Sequence, residues 1–408
     1  MAKLKSAIVL YLLGMVVIHA ALFWKLRNEV RSGYSDFSIF YSAGKIVGRG
    51  LGSHLYDSAL QYRTQQEFAP HVHIRQGALP YNHPPFEALI FVPLATIPYF
   101  AAYSLWDCAN LLMLCALPLV LRPHVSLLRR VPAAYCLIAT LAYFPIFIAL
   151  LQGQDVVVLL LLFALAYAAL KENADFAAGC WLGLGLFRLH LVLPLVLILC
   201  LRRKGKAIAG FASTAIGLAL ISIAVVGWKG AAAYPGYVLH LEASRGHGSI
   251  VPADMPNIRG LVESFGVEGS AQVLSESVIA IVSLILLLGA TASCNFKTSA
   301  GESLFDLGFS LVAVVTILVS YHALAYDLSL LLLPIVLVAS HVDATADISA
   351  WKRVALLAPI CILFFSPWLM LLSFRGHLFN LIALVLLAWV WGISREMQRH
   401  SASPIVKV

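Results

Sequence analysis

Charge is scarce in this chain. Only 12% of its 408 residues are Asp, Glu, Lys or Arg, about half the roughly 25% usual in soluble domains. That excludes an ordinary soluble enzyme and a disordered polyelectrolyte. No Cys-x-x-Cys occurs. The seven cysteines (Cys108, Cys115, Cys136, Cys180, Cys200, Cys294 and Cys361) are odd in number and lie in or beside apolar runs. They read as small packing residues, not as a disulfide framework or a zinc site. Walker A, HExxH and GxSxG patterns are missing, as is a GxGxxG preceding a strand. No α/β stretch is long enough for a soluble nucleotide-sugar domain. No internal repeat is strong enough to assert an inverted-repeat transporter.

Hydrophobic residues make up 61% of the chain, and the mean hydropathy is +0.88. A helix crossing a bilayer needs about 20 apolar residues. After a first run at 7–24, apolar segments recur at 86–97, 99–121, 132–150, 156–170, 176–200, 207–227, 271–292, 304–320, 328–340, 353–373 and 378–394. The expectation is an all-α polytopic membrane protein of about twelve transmembrane helices. Pro93 and Pro98 leave 86–121 open as two spans, or as a re-entrant piece and one span. Arg188 and His190 leave 176–200 open as one span or a hairpin. Placing the Arg122, Arg129, Arg130 loop in the cytoplasm favours one kinked piece followed by a hairpin.

The net charge of +8 is assigned to topology before nucleic acid, because Lys and Arg gather in short loops. Arg202, Arg203, Lys204 and Lys206, then Lys352 with Arg353, then Arg395, Arg399 and Lys407, mark the cytoplasmic side. Lys3 and Lys5 precede the first run, which lacks a small-residue cleavage pattern and is followed by Lys25 and Arg27. It reads as a retained helix with a cytoplasmic N-terminus. Extracytoplasmic regions are then 28–85, 228–270, and the turns at Tyr321 to Asp327 and Arg375 to His377.

The first outer loop, 28–85, carries Asp36, Asp57, Glu67, Lys45, Arg49, Arg63 and Arg75, with His54, His71, His73 and His83. Phe37 to Val47 and Ala59 to Phe68 read as short helices within it. A long loop in a compact protein is usually functional or disordered, and its many aromatics favour order. Asp36 stands in Ser35-Asp36-Phe37. It suits a general base for an incoming hydroxyl, and equally a helix N-cap. Tyr81-Asn82-His83-Pro84-Pro85-Phe86 stiffens the chain where it re-enters the membrane. His83 suits a phosphate or sugar hydroxyl, or an ordinary interfacial histidine. No carboxylate pattern at ligand spacing accompanies the histidines, so no metal ligand is expected.

Polar groups recur where apolar runs break. Gln152-Gly153-Gln154-Asp155 and Arg188 with His190 are costly at membrane depth unless they pair or line a cavity. Arg188 suits a lipid phosphate, or simple snorkelling. Asn257 and Arg259 follow Pro256 in the second outer loop, as donors toward a substrate or as solvated loop residues. His322 and Asp327 lie between two apolar helices, and Tyr326-Asp327 suits a cap on the next one.

Taken in order, Asp36-x-x-x-x-Tyr41-x-Ala43-Gly44, Gly50, Leu55-Tyr56-Asp57 and Tyr81-Asn82-His83-Pro84-Pro85-Phe86 resemble the first outer loop of glycosyltransferase family 87. Gly153-Gln154, the break Arg188 to His190 before a Pro-bearing helix, and Tyr326-Asp327-Leu328 resemble that family too. The resemblance implies a GT-C-type membrane glycosyltransferase using a polyprenyl-phosphate-sugar donor, typically mannose. It implies an inverting, metal-independent transfer on the outer face, without a cofactor, onto a glycolipid or glycan acceptor. Asp36 would be the catalytic base. By position, Arg188, His190, His322 and Arg259 are the residues expected near the donor phosphate. Arg188 departs from the Lys expected there, which keeps the charge but changes its geometry. Tyr41, His83, Gln154, Asn257 and Asp327 complete the expected substrate site.

The expected setting is an inner (plasma) membrane. A transporter or flippase for a lipid-linked or small solute is the competing class, since polar breaks also suit a midplane site. A non-catalytic assembly protein would make Asp36 dispensable. Release of prenyl phosphate only with acceptor distinguishes the enzyme from both.

Overall fold

The computed structural model describes residues 2–72, 79–243, 251–265, 271–294, 296, 302–375 and 378–402. His73, Arg75, His377 and Lys407 lie outside the described residues. The described residues are helical, without strands. In order the helices are α1 (Ala2–Arg31), α2 (Phe37–Gly48), α3 (Ser58–Gln66), α4 (Pro85–Phe91), α5 (Tyr99–Leu121), α6 (Ser126–Arg130), α7 (Ala133–Ala142), α8 (Phe144–Gln152), α9 (Val156–Lys171) and α10 (Asp175–Leu184). Then come α11 (Leu189–Leu201), α12 (Gly205–Ala243, broken at Gly227, where φ is 74°), α13 (Ile258–Glu263), α14 (Ala271–Ser293), α15 (Glu302–Val319), α16 (Leu332–Ala344), α17 (Ala350–Phe364), α18 (Ser366–Arg375) and α19 (Ile382–Ala402).

Seven runs among the described residues are long and apolar enough to cross a bilayer. The count is nine if the bent pairs α7–α8 (73°) and α17–α18 (61°) each make one span. This is fewer than the expected dozen. Segment 86–97 forms only the seven-residue α4 and a short 3₁₀ turn at Leu94–Thr96, far below the roughly 30 Å a bilayer core requires. α9 and α15 are apolar but too short to count on length alone. The expected hairpin at 176–200 is also corrected. α10, a 3₁₀ turn at Gly185–Arg188 and α11 continue as one 27-residue apolar run, Asp175–Leu201.

The bundle has a centre and a rim. The span Ala325–Ala344 is 83% buried over its apolar window, whereas α1, α12 and α14 are each 11% buried. A helix enclosed by other helices has no polar face to present, and the central helices are apolar on every side for that reason. The rim helices turn Leu10, Val17, Ile216, Leu220, Ile281 and Ile285 outward, as lipid contact demands. Small residues let two helices approach closely. A Cβ on Gly179 of α10 would stand only 1.9 Å from the Ala207 carbonyl oxygen of α12. This is the small-residue packing by which membrane helices associate.

Between α1 and α5 the described residues are held by a polar cap and by aromatic packing. Asp57 caps α3 by accepting from the backbone N–H groups of Ala59 and Leu60 at 2.9 and 3.0 Å. Phe37, Phe40, Tyr41, Phe91 and Tyr99 pack ring against ring. All seven cysteines are free thiols.

Candidate active site

The site is assembled where helices break. α8 ends at Gly153, which adopts a left-handed conformation with φ of 62°. A Cβ there would stand 2.8 Å from Cβ of Phe37, so both backbone shape and space favour glycine. The turn closes by Gln154 N–H donating to the Ala149 carbonyl at 2.8 Å. Side chains of α5 satisfy the remaining carbonyls. Tyr103 Oη donates to Leu150, Trp106 Nε1 to Gly153, and Asn110 Nδ2 to Gln154, at 2.8, 3.0 and 3.2 Å. Gln154 and Asp155 are therefore held on a rigid corner with their side chains available.

Asp36 meets that corner. It occupies the N-cap position of α2, yet its side chain makes no cap bond. Instead, Gln154 Nε2 donates to Asp36 Oδ2 at 2.7 Å, and the Asp36 N–H donates to Gln152 Oε1 at 2.9 Å. Asp36 is half-buried. A carboxylate oriented by a side-chain amide, not spent on a helix terminus, can accept a proton from a hydroxyl brought to it.

Arg188 sits at the second break, the 3₁₀ turn before α11, and is 3% exposed. Its Nε donates to Asp155 Oδ1 at 2.8 Å and its Nη1 to Asp327 Oδ1 at 3.2 Å. Its Nη2 donates to Gln154 Oε1. Asp327 also accepts from the Leu324 N–H at 2.7 Å, opening the 3₁₀ helix Ala325–Leu331. A buried guanidinium needs such partners. Here its donors are largely committed, so Arg188 fixes Gln154, and through it Asp36. Snorkelling to an interface does not describe this residue.

These residues wall a cavity of about 450 Å³, within the range of small-molecule sites. Asp36, His83, Gln154, Arg188, His190 and His322 all line it. The rings of His190 and His322 stand 5.6 Å apart. Tyr234, Tyr321 and Tyr326 add aromatic surface. Leu189 and Leu239, which are exposed, extend the wall outward.

The other expected residues lie elsewhere. Tyr41 is buried and donates to the Ile97 carbonyl at 2.7 Å. Asn257 is fully buried, caps α13 by accepting from Gly260 N–H, and donates to the Ser320 carbonyl. Arg259 reaches the cavity only indirectly. It pairs with Glu263, donates to the Tyr321 carbonyl, and lies 3.9 Å over the Tyr321 ring. Asp327 stands behind Arg188.

One residue of the cluster escaped the sequence reading. Glu87 of α4 is 1% exposed, and its Oε2 lies 2.7 Å from His83 Nδ1. Asp155 Oδ2 lies 3.6 Å from the same nitrogen. His83 and Glu87 are four residues apart, but His83 precedes α4 across the extended Pro84, so no helical spacing in the sequence joins them. Burial pushes the His83 imidazole down to about 3, so it is neutral near pH 7. Burial, reinforced by the Asp155 carboxylate, raises Glu87 well above the carboxylate range. Burial opposes ionisation of Asp155 too, but Arg188 and His83 outweigh it and keep this carboxyl below its ordinary value.

An all-helical chain with several apolar spans, and a cavity reached by polar side chains at the breaks between them, defines an integral membrane protein with a candidate small-molecule site. The glycosyltransferase family 87 model matches residues 81–321, which is 241 of the 408 residues. The chain belongs to glycosyltransferase family 87, and so is a membrane glycosyltransferase acting on donor and acceptor substrates. The match begins beyond Asp36. No curated protein and no solved structure matches the chain.

Proposed function

We propose that the chain transfers a sugar, mannose in the first instance, from a polyprenyl-phosphate donor to a glycolipid or glycan hydroxyl, with inversion, on the extracytoplasmic face. Both termini are then cytoplasmic. Asp36 takes the proton of the acceptor hydroxyl as its oxygen forms a bond to the anomeric carbon. The bond from that carbon to the phosphate oxygen breaks, and polyprenyl phosphate leaves with the electron pair. Gln154 orients the base, and Arg188 orients Gln154.

The observation that carries this reading is the hydrogen bond from Gln154 Nε2 to Asp36 Oδ2 at the wall of the cavity. The donor phosphate is assigned to His190 and His322, which share the cavity lining with Asp36, because Arg188 is committed to two carboxylates and an amide. Imidazole N–H groups directed at a leaving phosphate stabilise charge as it develops. His190 Nε2 is buried without a hydrogen-bond partner, which suits a group reserved for substrate. Exposed Leu189 and Leu239 beside the cavity suit a prenyl tail that remains in lipid.

The test is transfer of labelled mannose from polyprenyl-phosphate-mannose to membrane lipid extract by the purified protein in nanodiscs. Wild type should form a labelled glycolipid and release prenyl phosphate only with acceptor. Asp36→Asn should not. Equal transfer by both proteins would remove Asp36 as the base. Donor movement across the bilayer without prenyl-phosphate release would favour a flippase.

A further inference from the structure

His83 Nδ1, Glu87 Oε2 and Asp155 Oδ2 lie within 4.8 Å of one another, on residues no more than 7% exposed. They are close, but none of the three takes a well-directed hydrogen bond. Orphaned buried polar atoms are few in native proteins, and three facing one another call for a shared partner. We propose that these residues bind one divalent transition-metal ion with zinc-like ligand preferences.

The donor set suits such an ion. One imidazole nitrogen and two carboxylate oxygens are zinc ligands, each taken at about 2.0–2.2 Å. Two ligands at that radius around a tetrahedral ion stand about 3.4 Å apart. The separations of 2.7 and 3.6 Å from His83 Nδ1 bracket that value. Charge balance points the same way. With Glu87 deprotonated by the ion, as metal ligands are, Glu87, Asp155 and Asp327 supply three carboxylates around the single guanidinium of Arg188. A divalent ion offsets the remaining two negative charges and satisfies all three inward atoms. The competing arrangement is a proton shared between the two carboxyls, with His83 carrying its own proton on Nδ1 toward Glu87.

Asp155 is also held from behind, as metal ligands usually are, and the other two sit on restrained backbone. Arg188 Nε occupies Asp155 Oδ1 and leaves Oδ2 facing inward. Tyr56 Oη donates to the His83 carbonyl at 2.9 Å, and the His83 ring packs edge-on against Phe40 at 4.9 Å. Glu87 lies in the first turn of α4, which Pro84 and Pro85 start. The ion would tie the 81–87 segment to the α8–α9 corner beside Gln154. This departs from the expectation of no metal, because Asp155 lies 72 positions beyond His83 and no local spacing reveals it. Sugar transfer plays no part in the argument, so the site stands or falls apart from the donor assignment.

The test uses the full chain purified in nanodiscs, stripped with a chelator, desalted and titrated with cobalt(II) chloride alone. Uptake is read by elemental analysis and visible absorption. The expected result is one cobalt per chain, with the intense bands of low coordination and a raised unfolding temperature, since an ion that binds only the folded state stabilises it. Glu87→Gln and His83→Gln should each weaken binding by more than the roughly 10-fold cost of losing an outer-shell partner, and should lose the thermal shift. Sub-stoichiometric uptake by wild type would overturn the site. So would undiminished binding in His83→Gln, which keeps size and neutrality and remains informative if Glu87→Gln does not fold. A Glu87→Gln protein as stable as chelator-treated wild type, with neither binding cobalt, would assign the cluster to a shared proton instead.

Discussion

Charge is buried at both ends of α9. At its start, Asp155 meets Arg188 beside the cavity. At its end, Lys171 meets Asp306 of α15 at 2.8 Å, with side chains 7% and 13% exposed. At about 1.5 Å per residue, this helix separates the two clusters by about 24 Å. The Lys171 cluster is closed. Its ammonium also donates to the His124 carbonyl and to Tyr167 Oη, while Tyr167 Oη donates to Asp306. None of these residues lines the cavity. At the Asp155 end the charges are paired too, yet inward atoms of His83, Glu87 and Asp155 take no directed hydrogen bond, and an amide reaches on to Asp36. Burial of charge therefore does not mark function by itself. What sets the Asp155 end apart is a paired charge beside a cavity, with polar atoms still to be served.

The sharpest way to test the contrast is by rate against stability. Asp36→Asn should lower transfer by about 10²–10⁴-fold, the usual contribution of a positioned general base, while the unfolding temperature changes little. A labelled-donor assay beside a thermal melt reads both. Lys171→Met should do the reverse. It leaves Asp306 facing a smaller set of partners, and breaking a buried pair in this way costs about 3–5 kcal/mol. The turnover of the protein that remains folded should stay within about twofold of wild type, since the site lies roughly 24 Å away. A Lys171→Met protein that is stable but inactive would erase the distinction between the two ends.

Gln154→Leu should fall between these effects. It removes the donor to Asp36 and the acceptor for Arg188 with little change in volume. Loss of one hydrogen bond to a charged group costs about 1.5–3 kcal/mol, or about 10–150-fold in transfer. If Gln154 positions the base, the loss appears in kcat, with KM for the donor nearly unchanged. A rise in KM alone would make Gln154 a donor-binding residue.

Much of this architecture was legible from residues alone. Lipid demands apolar helices, so composition and spacing announced an all-helical membrane chain. Asp36, Gln154, Arg188, His83, His190 and His322 stood out because polar groups at breaks in apolar runs need a reason to be there. Hydropathy could not distinguish crossing from re-entry, so it left 86–97 open between a span of its own and a re-entrant piece. It also could not separate substrate donors from structural ones. Asn257 turned out to cap α13, and Tyr41 to brace the Leu94–Ile97 turn. Glu87 was missed because its partner Asp155 is distant in sequence, and the contact of Gln154 with Asp36 emerges only where the α8–α9 corner meets the start of α2.

The smallest expected effect lies in the segment that carries Asp36. Glu67 bonds Arg49 Nη1 and Nη2 at 2.6 Å and Lys45 Nζ at 2.8 Å, tying the end of α3 to α2. The Arg49 hydrogen bonds, helped by Lys45, lower its carboxyl from 4.5 to about 2. A carboxyl depressed on folding stabilises the native state above its unfolded value, and that support fades as pH falls from about 4.5 toward 2. Wild type should therefore lose stability relative to Glu67→Gln across that window, and the two should converge at its acidic end. Because the Glu67 side chain is 38% exposed, solvent screens the pair, and the difference near neutrality should stay below about 1 kcal/mol. Thermal melts of both proteins from neutral pH down through that window, at low and high salt, read the effect. A gap that salt leaves unchanged would mean that Glu67 acts by packing the aromatic stack over Tyr41, not by charge, and would make α3 part of the framework that holds Asp36.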